Sequence, residues 1–155
     1  MVKLSVLDQS PIREDGDARQ ALEETIALAQ AAERLGYTRY WLAEHHGTAG
    51  FAGSSPEIMV TRVAAATKHI RVGSGGVMLS HYSPLKVAEN FKLLENLYPG
   101  RIDLGIGRAP GSDGATAAAL AYGSEVGIEY FPTKIADMMA FLADEPPAPK
   151  PFKDV

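Results

Sequence analysis

A repeated alternation of strand and helix signals constrains this chain more than any other feature. Short apolar segments with β propensity begin near residues 4, 39, 70 and 102, and apolar residues at helical spacing follow each of them. The interval of roughly 30–35 residues is the length of one strand, its crossover helix and the return to the sheet. The sequence therefore predicts a parallel α/β protein with about four βα units.

The predicted helices are bounded by ordinary capping signals. Asp17 is the expected N-cap of a first helix that stops at Gly36. A serine before Pro56 and another before Pro84 place a proline in the first turn of the second and third helices. A fourth helix is predicted over residues 133–143, where apolar residues again recur at helical spacing.

Two architectures accommodate consecutive parallel βα units, namely a doubly wound open sheet and a (β/α)8 barrel of the TIM type. A barrel needs eight strands and typically ~250 residues, so a chain of 155 residues provides about half of one. Residues 1–145 are predicted to form this half barrel, and the proline-rich residues 146–155 a linker or tail. Because its parallel edges are open, we expect association with a second copy or with a missing second half.

The composition of the chain excludes several classes of binding partner and reactive group. The net charge is −4, which does not suit a nucleic acid backbone that needs clustered Lys and Arg. The chain has no cysteine, so thiolate metal sites and a cysteine nucleophile are absent. No apolar run approaches the ~18–20 residues of a membrane span or resembles a secretory signal. We therefore predict a cytoplasmic protein that binds neither nucleic acid nor a membrane.

Polar side chains cluster at the carboxyl ends of the predicted strands, where parallel α/β proteins place their sites. Glu44, His45 and His46 follow the second strand, and His81 and Tyr82 follow the third. His45 is the candidate general acid or base, because an imidazole with a pKa of ~6.5 exchanges protons near neutrality. The alternative is that one of the two adjacent histidines only hydrogen-bonds to a neighbouring loop, with Glu44 as its partner.

A divalent metal bound by Glu44, His45 and His81 is a competing interpretation, since carboxylate and imidazole suit zinc or manganese. Two observations disfavour it. Adjacent residues on an extended chain point to opposite sides, so His45 and His46 do not readily share an ion, and no helical His-Glu-x-x-His spacing occurs. We predict no metal site.

The loop after the fourth strand contains Arg108, a permanent cation able to bind a phosphate or a planar anionic ring. The alternative is an ion pair with Asp103 or Asp113. Within the third strand, Gly75 and Gly76 indicate a bulge or the close approach of a ligand or of another backbone, and a flat aromatic cofactor would fit against them. The same glycines could instead only relieve crowding inside a barrel.

Five sequence segments, in this order and at this spacing, resemble the bacterial luciferase-like flavin monooxygenases. They extend through almost the whole chain. The segments are LDQSP (7–11), YWLAEHH (40–46), VGSGGVML (72–79), HYSPLKVAE (81–89) and PGRIDLGIGRAPG (99–111). The resemblance is to the non-luminescent branch, because the light-emitting subunits carry a cysteine where this chain has Gly107.

The resemblance implies the N-terminal half of a (β/α)8 barrel that uses reduced FMN and O2 to oxidise a small organic substrate. NAD(P)H is the implied ultimate electron donor, either directly or through a flavin reductase. His45 matches the family's catalytic histidine, and Arg108 matches an arginine near the flavin phosphate. Gly75 and Gly76 match a non-proline cis peptide beside the flavin ring, with Glu44 also on the cofactor side.

On the same reading, His46, His81 and Tyr82 line the substrate pocket. Family members are roughly twice this length, so the second-half strands that close the barrel are missing from the sequence. A second hypothesis is therefore a non-catalytic flavin-binding or partner subunit, because a half barrel can keep a binding surface without a complete pocket.

Overall fold

The computed structural model describes residues 2–109, 113–122 and 128–148. Its secondary structure within these ranges is one parallel sheet with helices after its strands. The strands are β1 (Ser5–Asp8), β2 (Arg39–Leu42), β3 (Arg71–Met78) and β4 (Ile102–Gly107). The helices are α1 (Ala18–Arg34), α2 (Pro56–Ala66), α3 (Pro84–Leu97), α4 (Gly114–Ala121) and α5 (Phe131–Leu142), and a 3₁₀ turn spans Leu79–His81.

The strand order in the sheet is β1-β2-β3-β4, and each neighbouring pair is parallel. A doubly wound sheet reverses its strand order at a switch point, whereas this sheet keeps the order of the sequence throughout, as the strands of a barrel do. The predicted α/β class and the four βα units are therefore confirmed, and the arrangement is that of half a TIM-type barrel.

One face of the sheet packs against the helices and forms the core. Tyr40 and Leu42 of β2 and Val72 of β3 point to this face and are almost fully buried. The helices contribute small and branched residues, such as Ala29 of α1 and Val63 of α2, both with no exposed surface. Because side chains alternate along each strand, one set is buried between the sheet and the helices and the other set lies on the opposite, inner face of the sheet.

The inner face is only partly covered. Leu7 of β1 is 60% exposed, and its register partner Trp41 on β2 is half-buried. Beside them, Gly73 and Gly105 allow close packing of β3 and β4, because a Cβ on Gly105 would lie 2.3 Å from the Ser74 carbonyl oxygen. In a closed barrel these residues would line the interior.

The helix boundaries follow the capping signals closely. Asp17 caps α1 by accepting a hydrogen bond of 2.8 Å from the Gln20 amide, and α2 and α3 begin at Pro56 and Pro84. Helix α4 was not predicted, because it has no buried residue that would mark a core-facing side. The apolar spacing of α2 predicts that Ile58 is buried, but Ile58 is 66% exposed and its neighbour Met59 is buried instead.

Part of what the sequence predicted falls outside the described residues. The loop residues 110–112 and most of the proline-rich segment, 149–155, belong to this group. Residues 145–148 are described and lie in neither a helix nor a strand. In the described part of the chain, no helix combines the length and apolarity that crossing a lipid bilayer requires.

Candidate functional site

Strand β3 carries an irregularity where the sequence analysis expected one. Its pairing with β4 shifts register between Ser74 and Val77, and the peptide bond between Gly75 and Gly76 is cis. A Cβ on Gly76 would lie 2.8 Å from the backbone carbon of Ile106. The predicted bulge and close approach are thus present, and the approaching group is the backbone of β4. The strand continues through the bulge to Met78.

Glu44, directly after β2, is the centre of a buried hydrogen-bond cluster. It is only 4% exposed. Its Oε2 accepts from the Met78 amide at 2.8 Å, and its Oε1 accepts from the Tyr82 hydroxyl at 2.5 Å. The Nε2 atom of His46 lies 2.7 Å from the same Oε1. One carboxylate therefore joins the ends of β2 and β3 to the segment that precedes α3.

The electrostatics of this cluster keep the proton on the Tyr82 hydroxyl, so that this group remains a hydrogen-bond donor. Burial, followed by the hydrogen bond to Glu44 and the charge of that carboxylate, raises the pKa of Tyr82 far above its ordinary value. The Tyr82 hydroxyl also lies 3.2 Å from His46 Nε2. The Glu44 side chain is enclosed by contacts with Met78, Tyr82 and His46 and therefore connects the neighbouring loops rather than facing open space.

His45 points away from this cluster. Its ring stacks on Phe51, with centroids 4.6 Å apart and an interplanar angle of 30°, and its backbone amide donates to the Gly53 carbonyl at 2.9 Å. Its Nδ1 atom is buried and has no hydrogen-bond partner among the described residues. The structure thus separates the two adjacent histidines: His46 is bound to Glu44, and His45 retains a ring nitrogen for another partner.

The stacking partner of His45 is fixed from a different loop. Residues Pro11 and Phe51 form an isolated antiparallel bridge. On either side of it, the Ile12 amide donates to the Gly50 carbonyl and the Ala52 amide to the Ser10 carbonyl, both at 2.9 Å. The loop after β1 therefore sets the position of Phe51 and, through it, the plane of the His45 ring.

Lys134 of α5 fixes the turn that contains His81, a contact that the sequence analysis missed. Its ammonium donates to the carbonyls of Leu79, Ser80 and Tyr82 at 3.2, 2.7 and 3.1 Å. Burial lowers the pKa of Lys134. A lysine within a helical pattern gives no signal that it will reach a turn more than 50 residues earlier, so only the fold reveals this contact.

Arg108 follows β4, and its side chain is exposed. Its carbonyl accepts from the Ser80 hydroxyl at 2.9 Å, which ties the β4 loop to the 3₁₀ turn. The alternative partners considered for its guanidinium are occupied elsewhere. Asp103 pairs with Arg71, and Asp113 caps α4 through the Thr116 amide at 2.9 Å. Neither ion pair to Arg108 occurs within the described residues.

The three residues of the competing metal interpretation do not converge. Glu44 accepts from Met78 and Tyr82, and His45 stacks on Phe51. His81 lies at the end of the 3₁₀ turn with its ring edge-on to Tyr82, at a centroid distance of 6.3 Å. In the ranges that the structure describes, no group of three or more potential ligands could hold a metal ion.

Comparisons with known proteins identify the family of this chain. The model of the family described as luciferase-like monooxygenase matches residues 2–123. The N-acetyl-S-alkylcysteine monooxygenase of Bacillus subtilis (strain 168) is 48% identical over 147 residues, which are 95% of this chain and 44% of the relative. The chain thus spans about half the length of such relatives, as expected for an N-terminal half.

Two solved structures share the fold. Apo-MsnO8 is 47% identical, with a TM-score of 0.88, and the match covers 99% of this chain and 46% of that one. The oxygenating constituent of 3,6-diketocamphane monooxygenase from Pseudomonas putida, solved with FMN, is 26% identical with a TM-score of 0.64 over 69% of this chain and 29% of its own. The chain belongs to the luciferase-like monooxygenase family.

Proposed function

We propose that this chain forms one side of the active site of an FMN-dependent monooxygenase that oxidises a small organic substrate with O2. The observation that carries the proposal is the buried Nδ1 of His45, which has no hydrogen-bond partner in the part of the chain that the structure describes and is held just after β2 by stacking on Phe51. Support comes from the family itself, from a monooxygenase relative and from a related structure that contains FMN.

The described residues fit a flavin at this edge of the sheet. Gly75 and Gly76 have no side chains that would project from the β3 bulge toward a ligand. Beside the bulge, Leu7 and Trp41 form an apolar, partly exposed inner face. Arg108 is an exposed cation at the neighbouring strand end and suits a phosphate. When bound, reduced FMN supplies the electrons that activate O2.

In this proposal His45 is the catalytic acid or base. Its Nδ1 exchanges a proton with the reacting groups, while Phe51 keeps the ring in one plane. Glu44 acts as a positioning residue on the cofactor side, because it holds the Met78 amide at the end of the bulged strand. His46, His81 and Tyr82 form the adjoining wall on the substrate side.

The surrounding system is part of the same proposal. NAD(P)H is the ultimate electron donor, through a flavin reductase or directly, and the enzyme works in the cytoplasm. Residues 1–145 are the N-terminal half of the barrel, and residues 146–155 lead to the second half as a linker. Self-association or the second half closes the open edges of β1 and β4.

A non-catalytic flavin-binding or partner subunit is the second candidate. The observation that favours it is the half-open inner face, where Leu7 is 60% exposed. Small-molecule sites normally enclose most of their ligand, so an open half pocket could retain a flavin without excluding water from the reaction. Binding and turnover measurements separate the two candidates.

The test is a fluorescence titration of FMN with the purified chain, followed by an assay of NAD(P)H-driven O2 consumption with a flavin reductase present. We expect FMN fluorescence to be quenched, and His45→Ala to lower turnover by roughly 10²–10⁴-fold with binding retained. His69→Ala, at an exposed histidine, is the matched control and should leave turnover unchanged. Absence of FMN binding refutes the proposal. Binding with turnover that His45→Ala does not alter favours the non-catalytic subunit.

A further inference from the structure

A second buried polar cluster lies at the end of β1, beside the loop that carries Phe51. Its side chains come from β1, from the loop after β1, from α1 and from β2, and all four are at most 6% exposed: Asp8, Ser10, Thr25 and Tyr40. Buried polar groups are paired within the protein, so these side chains must bind one another or the backbone. The proposed acid–base chemistry assigns them no role.

Asp8, the last residue of β1, binds two members of this cluster. Its Oδ1 accepts from the Ser10 amide at 2.8 Å, and its Oδ2 accepts from the Tyr40 hydroxyl at 2.6 Å. Burial, followed by the hydrogen bond to Asp8 and the charge of that carboxylate, raises the pKa of Tyr40 far above its ordinary value. The Tyr40 hydroxyl therefore stays a donor, and the chain is fixed two residues beyond the end of β1.

Ser10 is held through both its backbone and its side chain. Its φ of 51° lies in the left-handed region, where a residue with a Cβ persists only if its surroundings impose the conformation. The Asp8 carboxylate binds its amide, and the Thr25 hydroxyl of α1 donates to its Oγ at 2.9 Å. A strand and a helix of the core thus set the position of Ser10 together.

Two contacts lead from Ser10 toward His45. The Ser10 carbonyl accepts from the amide of Ala52 at 2.9 Å, and the preceding residue is Phe51, whose ring stacks on His45. Ser10 Oγ also packs against Gly53, because a Cβ built on Gly53 would lie 3.5 Å from it. The Gly53 carbonyl accepts from the His45 amide at 2.9 Å. Ser10 therefore contacts the segment that fixes both the ring and the backbone of His45.

This connection matters because proton transfer depends on geometry. A displacement of ~1 Å at a reacting group costs roughly 10²-fold in rate. Thr25 lies within α1 and Asp8 within β1, but the loop between these two elements belongs to no helix or strand. The position of that loop depends on hydrogen bonds such as those of Ser10.

We propose that Ser10 is a positioning residue for His45, and that the Thr25 hydroxyl of α1 holds it in that role. Ser10 acts through Phe51 and Gly53 rather than by contact with the reacting groups. Without the hydrogen bond from Thr25, the loop after β1 shifts and the His45 ring leaves its plane. The inference rests on the proposed function, in which His45 is the acid or base.

The test observes the His45 ring by NMR in the purified chain, with its ring protons assigned by comparison with His45→Gln. Stacking on Phe51 shifts these resonances, and Phe51→Leu gives their unstacked positions. Thr25→Val removes the donor and nearly keeps the shape, so the resonances should move by about half or more of the way to the unstacked positions. Thr25→Ser keeps the hydroxyl and should leave them in place, although it also removes a buried methyl group.

Thr67→Val is the matched control, because the Thr67 hydroxyl is also buried and paired but precedes β3 at the other end of the sheet. It donates to the Val63 carbonyl and accepts from Arg101. Its loss should lower Tm without moving the His45 resonances. If Thr25→Val moves them no further than Thr67→Val does, the cluster is only structural and the proposal is overturned.

Ser10→Ala removes the acceptor of the same hydrogen bond and serves where Thr25→Val does not fold. It should move the His45 resonances in the same direction, and the double variant should move them no further, since both changes break one bond. Unmoved His45 resonances in Ser10→Ala overturn the proposal.

Turnover separates this inference from the proposed function. In the O2-consumption assay with FMN and a flavin reductase, Thr25→Val should lower turnover roughly 10–10²-fold and change the dissociation constant of FMN by less than about twofold. Thr25→Ser should restore most of the turnover. Absence of FMN binding refutes the proposed function, while the NMR result still decides whether Ser10 positions His45. In an active enzyme, turnover unchanged by Thr25→Val overturns the proposal.

Discussion

The Tyr82 hydroxyl offers the sharpest test of the Glu44 cluster. Tyr82→Phe keeps the ring and removes only the hydroxyl that donates to Glu44 Oε1 at 2.5 Å. A hydrogen bond to a charged group contributes about 1.5–3 kcal/mol. Glu44 keeps its donors from Met78 and His46, so no buried oxygen is left without a partner. We therefore expect a loss near the lower end, about 1.5–2 kcal/mol.

The assay is urea and thermal unfolding at one fixed protein concentration, because association shifts apparent stability. For a chain of this size the expected loss lowers Tm by roughly 3–8 °C. Tyr122→Phe is the control, since Tyr122 is 95% exposed, and it should not move Tm. In a double-mutant cycle, Tyr82→Phe should cost at least about 1 kcal/mol less when Glu44→Gln is already present. Equal Tm values for the two phenylalanine variants, or strictly additive effects in the cycle, refute the cluster as described.

Three other contacts in the structure give testable outcomes. Gly105→Ala should destabilise the chain by about 3 kcal/mol or more in urea unfolding, because the new Cβ would meet the Ser74 carbonyl, whereas Gly114→Ala, with open space around it, should be nearly neutral. Lys134→Met should cost about 1–3 kcal/mol by freeing three turn carbonyls, and hydrogen exchange should show faster opening around that turn. Glu33→Gln should lower stability slightly at neutral pH. Burial alone would raise the pKa of Glu33, but three backbone amide donors lower it below its ordinary 4.5. The stability it contributes is therefore present above the ordinary value and is lost as the pH falls through the lower folded value, so the two proteins should unfold alike once the pH is below that folded value.

Sequence periodicity was sufficient for the sheet and for most helices. It succeeded where a cap and an apolar face coincide, as at Asp17 with the buried Ala29 of α1. It failed at α4, where no residue is buried and only the Asp113 cap offered a signal. Ile58 was misplaced because its neighbour Met59 takes the sheet-facing position in α2.

Only part of the candidate site could be predicted from the sequence. The alternation of an extended chain predicts that His45 and His46 face opposite ways, and in the structure the two rings have different partners, Phe51 and Glu44. The Glu44 contacts with Met78 and Tyr82 join residues 34 and 38 positions apart, and no local pattern specifies such pairs. The contact of Lys134 with the 3₁₀ turn escaped for the same reason.

The sequential strand order also bears on how such a protein is made. Within the described part of the chain, each strand pairs with the strands before and after it, so each of these ladders joins partners roughly thirty residues apart. The sheet can therefore grow one βα unit at a time as the polypeptide leaves the ribosome. The last strand formed would then be a ready template for whatever strand follows it in the barrel.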